Sequence, residues 1–507
     1  MKGLKNIFFL LFLLIGLLSL AQEEISLNGN WEIVFDHNNE GAQSMWHQNE
    51  VFQKLAAKRK IKVPSSWELI EKDYEGVAFY RYAFDVPQDW EGKVVRLQFD
   101  AVNYLSEIWL NDEVVGYHEG GFTPFGFRVD NMMKAGKENV LILRVVGPII
   151  LSDKNIDGVK ALETPQWRGG ISGGIWQNVR LVATGAAYIK DVFVEPNIND
   201  NTVTFHLKLD HTSIKSETST VEVEITATTN KKNKVADHRA LVQLQPGIND
   251  YKVALQIPNA QYWSPKKPFL YQATVKLKND QNHSDAWHHR FGLRELTIKN
   301  DDFYLNGKRI YIKATFFEGL YPNGIAHPDS EEMARKEIRL AKAAGFNMIR
   351  PWRHPTTSMW LDLADEMGIM VVGSPALECM GLPLSSPYLP SRVIREVEQT
   401  IRKDRNRTCI VQWELFNELH RPVLNQLMHP MAMLSRDLDP TRLILDESGG
   451  WAFGANMYLP YKKEPTKLND IHNYAGAYIN EKVYNSYVSM AMTEAEKDAM
   501  GLGNFRM

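Results

Sequence analysis

The chain has 507 residues, of which 44% are hydrophobic and 23% are charged, and its formal net charge at pH 7 is −3. This length predicts about three globular domains, and the near-neutral charge argues against nucleic acid or an anionic membrane surface as a partner. Two cysteines without clustered histidines carry no metal signature, and no motif implies a cofactor. The 13 tryptophans and 19 tyrosines suit stacking on sugar rings, but core filling is the expected role of most of them.

Residues 1–21 have the pattern of a cleaved export signal. Lys2 and Lys5 precede an apolar run over 7–18, and residues 19–21 (SLA) offer a cleavage site. The alternative, a membrane anchor, is disfavoured because the run is shorter than the ~20 residues that a spanning helix needs. We therefore expect a periplasmic or secreted protein that has no membrane association after cleavage.

Residues 22–183 are predicted to form an all-β sandwich. Apolar and polar residues alternate over Val94–Phe99 and over 140–145, as expected of strands with one buried face. The pair Asn111-Asp112 separates two further short runs, which is typical of a β-hairpin. Many short strands joined by Gly, Asn and Asp turns indicate a sandwich.

Residues 184–294 are predicted to form a second, immunoglobulin-like sandwich. Residues 221–226 alternate between apolar and polar side chains, and 230–233 form a polar turn. A stretch of about 110 residues of short strands fits this fold, and its expected role is that of a spacer.

From residue 295 onwards, segments with helical periodicity alternate with short apolar runs. Helices are predicted over 330–344, 360–367, 391–402 and 423–438. Ser330 is the predicted N-cap of the first helix, Gly345 and Gly368 are predicted stops, and Pro430 is expected to kink or break the last helix. Strands are predicted over 346–350, 369–372, 409–417, 443–445 and 471–472. This alternation indicates a parallel sheet, either a barrel or a doubly wound sheet, and the lack of a Gly-rich phosphate motif disfavours a Rossmann fold.

Polar side chains follow five successive strands of this third domain. The five groups are residues 350–354, 374–378, 417–418, 446–447 and 472–474. A TIM barrel gathers the carboxyl ends of its strands at one mouth, so these groups predict an active site there. Arg353 and Glu447 are interpreted as structural members of the set.

Eight short motifs occur in order along the first two domains. They are SLNGNW (26–31), VPSSW (63–67), YRY (80–82), IWLN (108–111), GGFTPF (120–125), GGISGGIW (169–176), WSP (263–265) and FGLR (291–294). Their order resembles that of glycoside hydrolase family 2, the β-galactosidase and β-glucuronidase family. The resemblance implies a jelly-roll sugar-binding-type domain over 22–183, an immunoglobulin-like domain over 184–294 and a (β/α)8 TIM-barrel catalytic domain over 295–507.

The same resemblance implies a retaining glycosidase that cleaves a terminal β-linked sugar with two carboxyl groups about 5–5.5 Å apart. The Asn-Glu pair after the fourth strand resembles the family's acid/base motif, so Glu418 is the implied acid/base and Asn417 the implied donor to the sugar 2-hydroxyl. The Trp/Phe/Leu-rich strand before Glu418 supplies apolar walls that favour its protonated form. The implied substrate-binding residues besides Asn417 are Arg350, Trp352, His354, His472 and Tyr474. Three residues separate Arg350 from His354, one more than in the commoner family pattern.

The resemblance implies a nucleophilic carboxylate at the end of a seventh strand. Glu494 is the candidate within the chain, but residues 493–496 fit a capping box, which favours a first-turn helical residue without a catalytic role. About six strands are found from residue 295 onwards, against the eight of a complete barrel. We therefore expect an incomplete barrel and a nucleophile beyond Met507.

Two other functions stay open at this point. One is a non-catalytic carbohydrate-binding or scaffold protein on the same fold, and the other is a different glycosidase of the clan, such as a mannosidase or a mannanase. The two upstream sandwiches count against an endo-acting mannanase. The expected partner is a glycoside, oligosaccharide or polysaccharide, while its sugar, the oligomeric state and the pairing of Cys379 with Cys409 are left open.

Overall fold

The computed structural model describes most of the chain from residue 23 onwards. The described residues are 23–161, 163–167, 169–279, 284–377, 387–418, 422–449, 455–468, 470, 472 and 480–482. The proposed signal segment, Glu378, Cys379, Tyr474 and Glu494 lie outside them. Within this part of the chain, no helix is both long and apolar enough to cross a membrane.

The first domain is the predicted β-sandwich, with one short helix. Its elements are β1 (Glu23–Ser26), β2 (Gly29–Asp36), α1 (Asn49–Lys54), β3 (Arg59–Val63), β4 (Val77–Asp85), β5 (Val94–Phe99), β6 (Leu105–Leu110), β7 (Glu113–Glu119), β8 (Phe125–Arg128), β9 (Glu138–Val146), β10 (Asn155–Ile156), β11 (Val159–Lys160) and β12 (Val179–Thr184). A six-stranded sheet in the order β3-β2-β4-β9-β6-β7 shares one apolar core with a four-stranded sheet in the order β1-β12-β5-β8. The alternation over Val94–Phe99 is that of β5, whose apolar side chains enter this core.

The hairpin predicted in this domain joins β6 to β7. Asn111 and Asp112 have positive φ angles of 55° and 68°. Two successive residues with positive φ are what a type I′ turn requires, and Asn and Asp tolerate this conformation better than most residues. The turn is followed by antiparallel pairing of the two strands, which confirms the prediction.

The second domain is a sandwich of seven strands. They are β13 (Ala187–Asn197), β14 (Thr202–His211), β15 (Glu217–Ala227), β16 (Asn230–Leu244), β17 (Gly247–Gln256), β18 (Tyr271–Lys278) and β19 (Ser284–Phe291). They form one sheet in the order β13-β14-β17 and another in the order β16-β15-β18-β19. The alternating stretch lies in β15, where Val221, Val223 and Ile225 are buried between the sheets. This arrangement is the predicted immunoglobulin-like fold.

The third domain alternates strands and helices. Its elements are β20 (Leu296–Lys299), β21 (Asp302–Leu305), β22 (Lys308–Arg309), β23 (Ala314–Phe317), α2 (Glu331–Ala343), β24 (Met348–Pro351), α3 (Ser358–Met367), β25 (Met370–Gly373), α4 (Leu389–Asp404), β26 (Ile410–Asn417), α5 (Pro422–Leu438), β27 (Leu443–Ser448), β28 (Ala455–Tyr458) and β29 (Pro465–Leu468). Strands β23 to β29 form one sheet in sequence order, and β23 to β27 are parallel. Because the order never reverses, the sheet has the winding of a TIM barrel and not of a doubly wound sheet. Within the described residues its edges are β23 and β29.

The helix ends of this domain follow the predicted signals. The Ser330 hydroxyl accepts a hydrogen bond from the Met333 N–H at 3.2 Å and so caps α2. Gly368 ends α3 with a φ of 73°, a left-handed conformation that costs glycine least.

Helix α5 runs through Pro430, so the break that was one of the two expected outcomes does not occur. Met428, Met431 and Ala432 bury its face in the barrel core, and this packing outweighs the local penalty of proline. His472, the predicted last residue of another strand, is not in a strand, and Ile471 lies outside the described residues. The short strands β28 and β29 follow β27 as an antiparallel hairpin.

Both sandwiches are attached to the barrel by polar contacts. In the first domain, Glu119 forms ion pairs with Arg392 at 2.6 Å and Arg395 at 2.9 Å on α4. At the second domain, Asn406 donates from Nδ2 to the Val192 carbonyl at 2.7 Å and accepts from the Val194 N–H at 2.9 Å. These contacts hold both sandwiches on the side of the barrel that α4 covers.

Candidate active site

The site begins at the end of β26, the central strand of the barrel sheet. All eight residues of β26 are buried, as expected of a strand covered on both faces in a parallel sheet. Asn417 is its last residue. Glu418 follows with a φ of 46°, and its N–H donates to the Ser448 carbonyl at 2.9 Å. A left-handed conformation at a non-glycine residue costs about 1–2 kcal/mol and is found most often at functional sites.

The Glu418 carboxylate is held by a histidine from later in the chain, and that histidine is in turn held by a serine. Nδ1 of His472 lies 2.6 Å from Glu418 Oε1, and Nε2 of the same ring lies 2.9 Å from Ser448 Oγ. The side chain of Glu418 keeps 27% of its surface exposed and that of His472 keeps 11%. Glu418 is therefore both oriented by a hydrogen bond and accessible from the mouth of the barrel.

A second set of contacts orients Asn417. Arg350 donates from Nη2 to Asn417 Oδ1 at 2.9 Å and to Ser448 Oγ at 3.4 Å. The same guanidinium binds Glu414 with two bonds, Nε to Oε2 at 2.8 Å and Nη2 to Oε1 at 2.6 Å. We call Arg350, Glu414, Asn417, Ser448, His472 and Glu418 the site network. It joins the ends of β24, β26 and β27 to the loop that carries His472.

Glu414 is the buried anion of this network. Its side chain is 2% exposed, and burial alone would raise its pKa, but the charges of Arg350 and Arg353 outweigh burial and lower that pKa below its ordinary value. Arg353 is fully buried and donates to Glu414 Oε1 at 3.0 Å, to the Leu377 carbonyl at 2.7 Å and to the Leu415 carbonyl. The interpretation of Arg353 as a structural residue agrees with this position.

Sequence reasoning missed Glu414 and Ser448. A signal for Glu414 was present, because a carboxylate in the middle of an otherwise apolar buried strand needs a cationic partner. Ser448 carries no comparable signal, since its role depends on the approach of residues that lie far away in sequence.

Trp352 lies beside the network. Its ring is 5.0 Å from the guanidinium carbon of Arg350 and 5.4 Å from the ring of Phe316. Phe316 is 55% exposed, so the two rings form an aromatic edge next to Arg350. Stacking of this kind holds a guanidinium in one orientation.

His354 is placed elsewhere. It is 3% exposed, and its ring packs at 4.6 Å from Trp167 and 5.6 Å from Phe122, both of the first domain. Burial, with a contribution from the charge of Lys403, lowers its pKa to about 3, so the imidazole is neutral near pH 7. The structure thus joins Arg350, Asn417, Glu418 and His472 in one network and places His354 at a domain junction.

The remaining sequence candidates are structural or lie outside the described residues. Glu447, interpreted as structural, is 1% exposed. Cys409 is a buried free thiol, and burial, with Asp365 nearby, raises its pKa. In the described ranges, no group of three His, Cys, Asp or Glu side chains is arranged to hold a metal ion. Tyr474 and Glu494 are not among the described residues.

Two sandwiches ahead of a barrel sheet, with an Asn-Glu pair at the end of its central strand, define the class of multidomain TIM-barrel carbohydrate-active proteins. Three family models match the chain: the glycosyl hydrolases family 2 sugar binding domain over 25–185, glycosyl hydrolases family 2 over 187–294 and the glycosyl hydrolases family 2 TIM barrel domain over 296–498. The chain belongs to glycoside hydrolase family 2, as its motifs indicated.

Curated relatives include β-galactosidases from two bacteria. The enzyme of Alteromonas mediterranea is 26% identical over 470 residues. The match covers 84% of this chain and 42% of the relative. The enzyme of Thermoanaerobacter pseudethanolicus is 26% identical over 466 residues. The match covers 90% of this chain and 56% of the relative. The chain therefore spans about half the length of the curated relatives that it matches.

Solved structures show the same fold. A β-glucuronidase of Bacteroides uniformis matches with a TM-score of 0.71 at 19% identity, covering 83% of this chain and 52% of that one. A β-glucuronidase of Ruminococcus gnavus in complex with D-glucuronic acid matches with a TM-score of 0.70 at 21% identity, covering 83% of this chain and 72% of that one.

Proposed function

We propose that the protein is a retaining glycosidase that removes a terminal β-linked sugar of the β-galactoside or β-glucuronide type, with Glu418 as its acid/base. The observation that carries the proposal is the placement of Glu418, which is oriented by His472 and exposed at the mouth of a family 2 barrel. Export to the periplasm or the medium is part of the same proposal and is supported by the pattern of residues 1–21.

Glu418 would first act as an acid. With the His472 N–H donating to Oε1, the transferable proton belongs on Oε2, which delivers it to the glycosidic oxygen as the bond to the leaving group breaks. The nucleophile would be a second carboxylate from outside the described residues, and it would form the glycosyl-enzyme. In the second step Glu418 takes a proton from water as that water attacks the sugar.

The site network would keep the histidine in one tautomer. The Ser448 hydroxyl can accept from Arg350 and donate to Nε2 of His472, which leaves Nδ1 as the ring nitrogen that donates to Glu418. Asn417 would hydrogen-bond the sugar 2-hydroxyl, a contact that strengthens in the transition state. Arg350 fixes the orientation of the Asn417 amide for that contact.

A panel of nitrophenyl β-galactoside, β-glucuronide and β-mannoside tests the proposal on the protein expressed with whatever its gene encodes past Met507, because the nucleophile is expected there. We expect wild-type turnover of a galactoside or glucuronide, and a loss of about 10²–10⁴ in rate for Glu418→Gln. Glu464→Gln, a change at an exposed turn, is the matched control and should leave turnover unchanged.

A second experiment tests the retaining mechanism. In Glu418→Ala, azide should restore turnover and yield a β-glycosyl azide, because a small anion can attack the glycosyl-enzyme without base catalysis. Full activity of Glu418→Gln, an α-configured azide product, or no wild-type turnover of any member of the panel would each contradict the proposal.

A further inference from the structure

A cleft of about 820 Å³ lies where the three domains meet. Its floor is the outer face of the sheet that contains β5, β8 and β12, and its walls come from β13 and β19 of the second domain and from the end of α4 and the residues that follow it. Seven of the lining side chains are Lys or Arg and two are Asp. The lining contains no described member of the site network, so this cleft is separate from the candidate active site.

The floor of the cleft places two arginines directly opposite each other. Arg96 on β5 pairs in register with Arg128 on β8, and like charges in this cross-strand position destabilise a sheet. Arg128 is compensated, because it donates to Asp130 from Nε at 2.6 Å and from Nη2 at 2.8 Å. Arg96 is the less compensated member of the pair, because its ion pair with Asp285 is long at 4.0 Å.

Arg96 is a mostly buried cation for which the described residues offer no hydrogen-bond acceptor at normal distance. Its side chain is 13% exposed, and its closest carboxylate, that of Asp285, is 4.0 Å away. That carboxylate already accepts from the N–H groups of Ile189 at 2.7 Å and Ala286 at 2.9 Å. The buried Nε of Arg96 has no hydrogen-bond partner among the described residues. The guanidinium is instead fixed over the ring of Tyr188 at 3.9 Å, so it is oriented but unsatisfied.

The walls around Arg96 are held in place by contacts between domains. Asn406 is bonded to Val192 and Val194, and Arg405 forms an ion pair with Asp191. A cleft whose walls are already fixed loses little conformational entropy when a ligand enters. Its volume is in the range of small-molecule sites.

We propose that this cleft binds a uronate-containing saccharide, whose carboxylate is held by Arg96. The planar guanidinium matches a carboxylate in two-bond geometry, and a bound anion would relieve the repulsion between Arg96 and Arg128. Trp287 also lines the cleft and offers aromatic surface to sugar rings. The choice of a saccharide rests on the proposed glycosidase function, whereas the requirement for an anion rests on the cleft alone.

Calorimetric titration with trigalacturonate and with its trimethyl ester tests this second site. The ester keeps the rings and removes the charge. The measurement uses the full chain carrying Glu418→Gln, which should not hydrolyse the ligand. Binding is thus measured independently of the proposed glycosidase activity. We expect the acid to bind about tenfold or more tightly than the ester at low salt, and Arg96→Gln to remove that preference.

Two further variants keep the test decisive. Arg128 lies on the same floor at a more exposed position, so Arg128→Gln should fold normally. This variant should weaken trigalacturonate binding. Arg239→Gln, at an exposed position of the second domain, should leave binding unchanged.

Equal binding of acid and ester, or unchanged binding in folded Arg96→Gln and Arg128→Gln, would overturn the proposal. Sulfate or a short DNA strand that binds as tightly, with the same arginine dependence, would overturn the saccharide assignment.

Discussion

Arg350 and Glu414 form a two-bond ion pair, with donor–acceptor distances of 2.8 and 2.6 Å, directly behind the residues of the candidate active site. The pair joins β24 to β26 and lies among buried groups. The same guanidinium also orients Asn417, so the pair supports the fold and aligns the site at once. The first two predictions depend on this relationship.

Replacing Arg350 by Met should destabilise the protein and remove activity. The substitution leaves the buried Glu414 carboxylate with one cationic partner in place of two, and breaking such a pair costs about 3–5 kcal/mol. Urea unfolding measures the loss. Arg335→Met, which removes exposed pairs with Glu331 and Glu366, should destabilise the protein far less. Equal stability of the two variants would contradict the buried role of Arg350.

Glu414 should make the protein sensitive to acid. Its folded pKa lies below the ordinary value of 4.5, so the unfolded state takes up a proton at a higher pH than the folded state does. The stabilisation is therefore complete above about pH 4.5 and is lost as the pH falls through the lower folded pKa. The unfolding free energy of wild type, measured from pH 6 to pH 3, should fall more steeply than that of Glu414→Gln, and parallel curves would refute the prediction.

Glu396 should have the opposite effect to Glu414 and make the protein less stable as the pH rises. This side chain on α4 accepts from the Ala376 N–H at 3.2 Å, and burial raises its pKa from 4.5 to about 7. The unfolded state therefore loses this proton before the folded state does, and stability falls as the pH rises from about 4.5 to about 7.

The variant Glu396→Gln, which resembles the protonated acid, should remove that fall. We expect it to be more stable than wild type by about 1–3 kcal/mol at pH 8 and to match wild type near pH 4. Thermal unfolding at the two pH values measures the difference. A stability difference between variant and wild type that is the same at both pH values would show that folding does not raise the pKa of Glu396.

Removal of His472 should change the pH dependence of the reaction as well as its rate. The His472→Ala variant lacks the N–H that donates to Glu418, and without this donor the ionised carboxylate is less favoured. The alkaline limb of the kcat/KM profile should therefore move to higher pH. Ser448→Ala, which leaves the His472–Glu418 pair intact, should move it less. A drop in rate with an unshifted profile would assign His472 a purely structural role.

The sequence by itself determined the order of the domains and the position of the site along the chain. Period-two alternation identified both sandwiches, and the capping signals at Ser330 and Gly368 located α2 and α3. The end of the buried strand β26 marked Asn417 and Glu418 as candidates, and the family resemblance supplied their proposed roles. These features depend on local preferences, which act between residues a few positions apart.

Only the tertiary structure decided which polar groups meet. Glu414 lies 64 residues from Arg350, and Ser448 lies 98 residues from it. His354 follows Arg350 by four residues and yet faces the first domain, because its ring is buried against aromatic side chains of that domain. The unsatisfied Arg96 becomes visible only when three domains close around it. Burial and charge pairing at long range are properties of the packed chain, and no local period encodes them.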